Sequence, residues 1–253
     1  KTQDAVTASP AVANGMVYVI YSWIKDETAR ERINADIKAF DAQTGALRWQ
    51  QAKIGQTDGS PALWTHQGKN YLAMAAPGGL LCLNAETGAQ VWKEKSVALE
   101  IGGHGGNSTP TVSGDTVLVQ GRAAYRLTPE KAEVLWQVRD GRTDYGAAGI
   151  IDQNVAYYGN SYTAYQCIDM VTGQAKWTSE RGAVQCLSPI LADGKIFAQD
   201  STAGGRGNIL MLRTSAEKYE VLGLFNPSVI SKKGCSELSY SISPAIAGGR
   251  LYL

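Results

Sequence analysis

Three segments of the chain align without a gap, and together they indicate the fold. Residues 39–49 read AFDAQTGALRW, residues 82–92 read CLNAETGAQVW and residues 167–177 read CIDMVTGQAKW. Their common frame begins with a small residue, continues with Asp or Asn and then Thr-Gly, and closes with Trp. Self-similarity of this kind is the signature of a repeat architecture.

Two weaker copies extend the pattern along the chain. Residues 126–136 keep the closing Trp but lose Thr-Gly, and residues 211–222 keep the hydrophobic frame with one additional residue. The four closing tryptophans, Trp49, Trp92, Trp136 and Trp177, lie 43, 44 and 41 residues apart. Intervals of about 40–45 residues are typical of four-stranded propeller blades.

A second element precedes each copy and marks the start of a repeat. Ser-Pro or Thr-Pro pairs begin at Ser9, Ser60, Thr109, Ser188 and Ser243. Short apolar runs and turn signals such as Asn14-Gly15 follow these pairs, which indicates β-hairpins. Each repeat is therefore predicted to contain four strands, named A to D in chain order. In the first repeat these are residues 10–13, 16–22, 37–41 and 46–51.

The predicted fold is all-β, a β-propeller of four-stranded antiparallel blades in one domain, residues 1–253. Five complete blades and part of a sixth are visible in the sequence. Because a propeller closes its ring to protect its edge strands, we expect a natural ring of six to eight blades. We also expect that the sequence is incomplete at its C-terminal end.

The repeated residues have roles that follow from this geometry. The carboxylate of Asp41 or Asp169 can accept hydrogen bonds from turn amides, and the glycine that follows can supply a positive φ. The closing Trp can fill the space between neighbouring blades, and its N–H then needs a carbonyl partner in the next blade. The predicted docking and turn residues are Trp49, Trp92, Trp136, Trp177, Gly45, Gly88 and Gly173.

The pattern resembles the tryptophan-docking repeat of the quinoprotein-like (PQQ-like) β-propellers, and the resemblance covers nearly the whole chain. WD40 repeats differ, because there Trp directly precedes Asp, whereas here Asp41 lies eight residues before Trp49. The resemblance implies a propeller that usually has eight blades. Members of the family include quinone-dependent dehydrogenases and the non-enzymatic lipoprotein scaffold of the bacterial outer-membrane assembly machine.

Candidate binding residues come from the D-to-A and B-to-C loops, which lie on one face of a propeller. The Gly-rich residues 101–107 are the most unusual: they are either a flexible linker or a ligand or metal contact by His104 beside Asp58 and Asp144. Two long B-to-C loops, residues 25–36 and 201–208, make this face the expected partner surface. His66, in a hairpin of the opposite face, is given no role. The candidate binding residues are Asp58, His104, Asn107, Asp144, Arg206 and Tyr240.

The cysteines are explained by the repeat. Cys82 and Cys167 occupy the position of Ala39, which requires a small buried residue. Cys186 and Cys235 both precede strand A of successive blades, and the sequence leaves open whether they form a disulfide. No spacing of His and Cys suggests zinc, and no metal site is expected.

Composition narrows the class of function. With 24 basic and 23 acidic residues, the net charge of +1 gives no field that would attract nucleic acid, and no apolar stretch is long enough to span a membrane. We expect a non-catalytic scaffold or binding protein of the bacterial cell envelope, periplasmic or extracellular, with peripheral or lipid-anchored association. Its partner is expected to be a protein, and no cofactor is expected.

The resemblance also implies an alternative, a dehydrogenase that depends on PQQ and calcium. Its alcohol-dehydrogenase branch holds the quinone between a Trp and a disulfide of two adjacent cysteines, and this chain has no adjacent pair. Asp58, Asn107 and Asp144 offer oxygens of the kind that bind calcium. A second alternative is a carbohydrate-associated binding module, in which some of the 12 Tyr and 6 Trp residues stack on sugars.

The docking interpretation predicts that Trp92→Ala lowers the free energy of unfolding by about 3–5 kcal/mol, the usual cost of truncating a buried Trp. The measurement is a denaturant melt of the two proteins. A loss below about 1 kcal/mol, as for an exposed side chain, would contradict the assignment.

Overall fold

The computed structural model describes residues 4–6, 8–24, 32–55, 57, 59–96, 99, 108–138, 148–160, 163–182, 188–200, 208–225 and 244–252. The described residues form antiparallel β-sheets. The chain divides into two compact units, residues 1–143 and residues 144–253, which are treated in turn.

Three sheets make up the first unit. The first consists of β1 (Asp4–Val6), β2 (Ala11–Ala13), β3 (Met16–Ile24), β4 (Arg32–Asp41) and β5 (Leu47–Gln51). The second consists of β6 (Ala62–His66), β7 (Lys69–Ala76), β8 (Gly79–Asn84) and β9 (Gln90–Lys95). The third consists of β10 (Thr111–Ser113), β11 (Thr116–Val119), β12 (Ala123–Leu127) and β13 (Ala132–Gln137).

The second unit continues the pattern with two four-stranded sheets and one pair of strands. The fourth sheet consists of β14 (Ile150–Asp152), β15 (Val155–Asn160), β16 (Thr163–Asp169) and β17 (Ala175–Gly182). The fifth consists of β18 (Ile190–Ala192), β19 (Lys195–Asp200), β20 (Asn208–Arg213) and β21 (Val221–Phe225). The pair consists of β22 (Ala245–Ala247) and β23 (Arg250–Tyr252).

The predicted arrangement of five complete four-stranded blades and part of a sixth is confirmed. The first sheet differs from prediction in carrying an additional strand, β1, whose residues Asp4 to Val6 pair with the end of β3. No turn signal separates this segment from the rest of the chain, so its pairing could not be predicted from hairpin rules.

The prediction of a loop over residues 25–36 is wrong in its second half, because β4 begins at Arg32. Two polar residues that resembled loop sequence hold the segment after β5 instead. Asn34 Oδ1 accepts a hydrogen bond of 3.0 Å from the Gly55 N–H, and Asp36 Oδ1 accepts one of 2.8 Å from the Lys53 N–H. Residues 25–31 lie outside the described ranges.

The turns between strands A and B have the predicted hairpin conformation. Asn14 and Gly15 have φ of 48° and 72°, and Gln67 and Gly68 have φ of 48° and 77°. Two successive positive φ angles define the type I′ turn, whose twist matches that of the flanking strands.

The turns between strands C and D are held by the repeated carboxylate or amide. Asp41 Oδ1 accepts hydrogen bonds from the Gln43 and Thr44 N–H groups at 3.0 and 2.8 Å, and Asp169 and Asn84 bond their own turns in the same way. The Arg48 guanidinium, together with these turn donors, holds the pKa of the Asp41 carboxyl well below its usual range. The prediction that this side chain accepts bonds from turn amides is confirmed.

Each of the three aligned 11-residue segments begins with a small residue, and strand pairing explains why. Ala39 lies directly opposite Trp49, Cys82 opposite Trp92 and Cys167 opposite Trp177. A β-bulge follows the small residue in each sheet, and bulges increase local twist and redirect side chains. Cys82 and Cys167 are buried free thiols, as predicted.

The structure corrects the predicted register of the two weaker copies. In the third sheet Ala124, and not Arg126, lies opposite Trp136. Three residue pairs, from Tyr125–Val134 to Leu127–Ala132, lie between the bulge and the C-to-D turn of this sheet, whereas Phe40–Leu47 is the one pair in the register of the first sheet there. In the fifth sheet Met211 lies opposite Gly223. In this sheet the large residue of the pair is on strand C and the small one is on strand D, the reverse of the pairs that contain Trp. The position that Trp occupies in the other sheets is therefore taken by Gly223.

Indole N–H groups join neighbouring sheets within each unit. In the first unit Trp49 Nε1 donates to Ala85 O and Trp92 Nε1 donates to Thr128 O, both at 3.0 Å. In the second unit Trp177 Nε1 donates to Ser215 O at 2.7 Å. Trp136 is buried on β13. Each acceptor follows strand C of the next sheet, so the indole bonds main chain rather than a particular side chain.

The Ser-Pro and Thr-Pro pairs also join sheets, a role that the sequence did not reveal. The Ser9 N–H donates to Ser60 Oγ and the Ser60 N–H donates to Thr109 Oγ1, both at 2.9 Å. In the second unit the Ala148 N–H donates to Ser188 Oγ at 3.3 Å. The hydroxyl groups of Ser60, Thr109 and Ser188 therefore each satisfy a main-chain donor from the preceding sheet.

Gly88 is required by contact as well as by conformation. Its φ is +73°, and a Cβ added there would lie 2.4 Å from Trp49 Cε3, which is far inside van der Waals contact. Gly45 is the equivalent turn residue in the first sheet, with a φ of +70°, but a Cβ there would meet no atom within 4 Å. Gly45 is thus required only by the positive φ of its turn, whereas Gly88 is required by a positive φ and by the space that the Trp49 ring occupies.

This difference gives a matched pair of variants. Gly45→Ala is expected to cost about 1 kcal/mol, because only the left-handed conformation opposes it. Gly88→Ala is expected to cost at least about 2 kcal/mol more, because the Trp49 ring must also move out of its packed position. Denaturant melts measure both changes, and equal losses would show that Trp49 does not depend on the absence of a Cβ at residue 88.

Candidate functional site

All six candidate binding residues lie outside the part of the chain that the structure describes. They are Asp58, His104, Asn107, Asp144, Arg206 and Tyr240. Cys186, Cys235 and residues 201–207 of the second long loop lie outside it too. The interpretations of His104 and of the Cys186–Cys235 disulfide therefore stay predictions.

Buried polar residues nevertheless concentrate at the end of the sheets from which those loops leave. This end, named here the D–A end, is where strand B turns into strand C and where strand D finishes. The buried polar and charged residues among those described all lie toward it: Ser22, Asp36, Thr57, Ser96, Ser108, Gln120, Arg122 and Ser179. Polar groups removed from water require hydrogen-bond partners, so each can be examined for one.

The junction between the first and second sheets is largely satisfied. Ser22 Oγ donates to Thr57 O at 3.1 Å, and Thr57 Oγ1 accepts a bond of 3.3 Å from the Gly59 N–H. This junction is therefore built from short hydroxyl groups. Between the second and third sheets, the main chain of Ser108 packs against Gly59 so closely that a Cβ at residue 59 would lie 2.3 Å from Ser108 O. Ser108 Oγ is buried there without a hydrogen-bond partner in the described structure.

The junction between the second and third sheets combines a satisfied pair with unsatisfied groups. Tyr125 OH donates to Ser96 Oγ at 2.6 Å, and burial raises the pKa of the Tyr125 phenol. At the same end of the third sheet, Gln120, Arg122 and Gln137 carry buried polar atoms that have no hydrogen-bond partner in the described structure. Polar groups that are buried and unpaired call for a partner outside the described residues, such as a bound ion, a water molecule or a ligand.

The opposite end of the first unit carries a network that sequence reasoning missed. Trp64 is fully buried, and its Nε1 donates to Asp115 Oδ1 at 2.9 Å. His66 Nδ1 lies 2.9 Å from the same oxygen. The bond from His66, followed by that from Trp64, lowers the pKa of the Asp115 carboxyl. His66 is therefore part of a contact between the second and third sheets, and its place in a hairpin gave no sign of this.

The buried thiols of Cys82 and Cys167 have raised pKa values. Burial raises the pKa of Cys82 to about 12 and that of Cys167 to about 11. Since the thiolate is the reactive form of cysteine, neither side chain is a nucleophile at neutral pH. Within the described ranges no three His, Cys, Asp or Glu side chains come together as metal ligands would. The described residues also include no helix of the length and apolarity that a membrane span needs.

The repeated four-stranded sheets, with indole groups docked on the next sheet, define a β-propeller of the PQQ-like repeat class. More narrowly, the chain belongs to the family described as outer membrane protein assembly factor BamB, whose family model matches residues 34–177. This match begins in β4 and ends in β17. No curated protein matches the chain.

Solved structures of two functional kinds resemble the chain. BamB from Moraxella catarrhalis aligns with 16% identity and a TM-score of 0.59, over 88% of this chain and 65% of that protein. The quinohemoprotein alcohol dehydrogenase from Comamonas testosteroni aligns with 17% identity and a TM-score of 0.60, over 89% and 43%. A europium-containing methanol dehydrogenase aligns with 16% identity and a TM-score of 0.57, over 88% of this chain and 52% of that protein. At these identities the likeness shows the fold alone, and the chain spans 65% or less of each of these proteins.

The Asp115 network predicts a large effect for a partly exposed carboxylate. Asp115→Ala is expected to lower the free energy of unfolding by about 1–3 kcal/mol, because the buried Trp64 N–H loses its acceptor. Glu133→Ala is the control: Glu133, on the same sheet, forms an exposed ion pair of 3.0 Å with Lys131, and its loss is expected to cost about 0.5 kcal/mol or less. Equal effects in urea melts would show that the Trp64 bond adds nothing.

The same variant has a predicted pH dependence. The folded pKa of Asp115 is lowered, so the stabilisation by its charge is fully present above the unfolded pKa of about 4. It is lost as the pH falls through the folded value. The difference in unfolding free energy between wild type and Asp115→Ala should therefore narrow from pH 6 toward acid, and a constant difference would contradict the role of the charge.

Proposed function

We propose that the chain is a non-catalytic scaffold of the bacterial cell envelope that binds a protein partner at the D–A end of its sheets. The observation that carries the proposal is the family match, because the matching model is that of an outer membrane protein assembly factor. It extends over 144 residues, from 34 to 177. An outer-membrane assembly component is accordingly the class of partner that we infer, and the periplasm the location.

The chemistry of the described side chains supports a scaffold. Perturbed pKa values mark active sites when they gather in a cleft, but here they occur in structural contacts. The raised groups, such as Cys82 and Tyr165, are buried between strands or sheets. The lowered groups, such as Asp41 and Asp169, bond their own turns. Each of these shifts therefore has a structural cause that requires no substrate.

The construction of the sheets supports recognition through loops. Strands A, B, C and D are fixed to each other by tight turns and to the next sheet by indole and hydroxyl bonds. A rigid framework of this kind positions the connecting segments that make specific contacts. The D–A end is the better candidate, because the buried polar residues lie toward it and the longest connections leave from it.

A PQQ- and calcium-dependent dehydrogenase is the second candidate. It is favoured by the similarity of the chain to the two dehydrogenase structures, whose TM-scores of 0.60 and 0.57 equal that of BamB within a few hundredths. Structural likeness does not distinguish the two functions, because one propeller can carry either. The experiments below are designed to do so.

Site-specific photo-crosslinking tests the scaffold. A photoreactive residue replaces Pro77, exposed in the B-to-C turn of the second sheet at the D–A end, and in a second protein replaces Gln67, exposed at the opposite end of the same sheet. Crosslinking in cells should give a discrete adduct from position 77 and none from position 67. The partner, identified by mass spectrometry as an outer-membrane assembly component, should then bind the purified protein.

Adducts from position 67 alone, or the same adducts from both positions, would overturn the assignment of the binding surface. Titration with pyrroloquinoline quinone, with and without calcium, tests the alternative through tryptophan fluorescence and dye reduction with alcohols. Saturable calcium-dependent binding that is accompanied by dye reduction would replace the scaffold with the dehydrogenase. Absence of binding would eliminate the dehydrogenase.

A further inference from the structure

At its D–A end the third sheet has a turn that buries a positive charge with no counter-ion among the described residues. Arg122 closes the turn between β11 and β12, and its N–H donates to Val119 O at 3.0 Å. The residue is 7% exposed, yet its Nε and Nη2 atoms have no hydrogen-bond partner in the described structure. Arginine stays charged in proteins, and burial of an unpaired charge is costly. This arrangement therefore calls for an anionic group.

The geometry of the two unpaired atoms specifies the kind of anion. Nε–H and the adjacent Nη2–H of a guanidinium point in the same direction along one edge. That edge matches the two oxygens of a carboxylate, which it binds through two parallel hydrogen bonds. The unpaired edge of Arg122 is therefore the one that recognises a planar carboxylate.

Two amide side chains at the same end of the sheet extend the set of unpaired groups. Gln120 stands in the same turn, 2% exposed, and neither Oε1 nor Nε2 has a partner. Gln137 lies opposite Ala123, next to Arg122, and its Oε1 is also buried and unpaired. Gln67 and Gln153 have the same positive φ in other turns, but both are exposed. Of these three turn glutamines, Gln120 is therefore the one that is buried.

Together these groups define the ligand by its chemistry. The Arg122 edge and Gln120 Nε2 are donors suited to a carboxylate, whereas Gln120 Oε1 and Gln137 Oε1 are acceptors that require hydroxyl or amino donors. The unpaired atoms are buried, so a ligand that contacts them has to be small enough to be enclosed with them. We propose that Arg122, Gln120 and Gln137 form a site for a small carboxylate that also carries hydroxyl groups. The proposal does not depend on the scaffold function.

Calorimetric titration with four probes tests the two features of the ligand separately. Glycerate has both the carboxylate and the hydroxyl groups, propionate has the carboxylate alone and glycerol has the hydroxyl groups alone. Inorganic phosphate is an anion of different shape. We expect glycerate to bind the protein with at least about tenfold higher affinity than any of the other three probes, because only glycerate satisfies both donors and acceptors.

Variants at two arginines locate the site. Arg122→Gln should weaken glycerate binding about tenfold or more, and Arg122→Lys should do the same, because lysine keeps the charge but cannot present the paired edge. Arg126→Gln is the matched control: Arg126 is exposed on the same strand, and its replacement should leave binding unchanged. Circular dichroism establishes that each variant is folded.

If neither Arg122 variant folds, nuclear magnetic resonance of the wild-type protein tests whether an arginine side chain binds glycerate. One arginine Nε–H resonance should shift on addition of glycerate and stay in place on addition of glycerol. No glycerate binding to the wild type, equal binding by folded Arg122 variants, equal or tighter binding of phosphate, or no shifted Nε–H resonance would each overturn the proposal.

Discussion

The hydrogen bond from an indole N–H to a main-chain carbonyl of the next sheet is the contact on which the rest of the structure depends. It places the largest side chain of each repeat between two sheets and leaves no donor unsatisfied there. The other repeated features serve this contact. A small residue stands opposite the Trp, a bulge follows it, and Gly88 leaves room for the ring of Trp49. An aromatic contact then extends the packing, as between Trp177 and Tyr219, whose ring centroids lie 5.4 Å apart.

Bonds within the turns and contacts between sheets together account for most of the polar side-chain interactions in the described chain, and this shapes the functional interpretation. Hydroxyl groups at Ser60 and Thr109, the carboxylate of Asp115 and the main-chain carbonyl at Thr128 each have a partner in a neighbouring sheet. Among the described side chains that carry buried polar atoms without a partner, which also include Tyr18, Ser108 and Tyr165, Arg122 is the one that is charged. Departures from local consistency occur where a protein interacts with something outside itself.

The fold could be predicted from sequence because its signals are local and repeated. Turn glycines, alternating apolar residues and the spacing of the tryptophans each describe a few residues, and recurrence supplies the number of sheets. The register of the third sheet could not be predicted, because two additional cross-strand pairs between the bulge and the turn move the residue opposite Trp136 while the spacing of the tryptophans hardly changes. The His66–Asp115 contact and the serine hydroxyl bonds could not be predicted, since both join residues about 50 positions apart. The candidate binding residues predicted from the sequence lie in long loops, whereas Arg122 belongs to a tight turn between β11 and β12, where nothing in the sequence indicates a buried and unpaired charge.

The acceptor of each indole bond is a backbone carbonyl, and this has a consequence for how such a protein changes through evolution. Every residue type carries a carbonyl, so the surface that receives a Trp places almost no demand on the identity of the receiving residue: Ala85, Thr128 and Ser215 all serve. A duplicated repeat can therefore dock on a neighbour that has already diverged. A gained or exchanged repeat then needs no particular acceptor residue on its neighbour, provided that the turn beside the acceptor leaves room for the ring, as Gly88 does for Trp49.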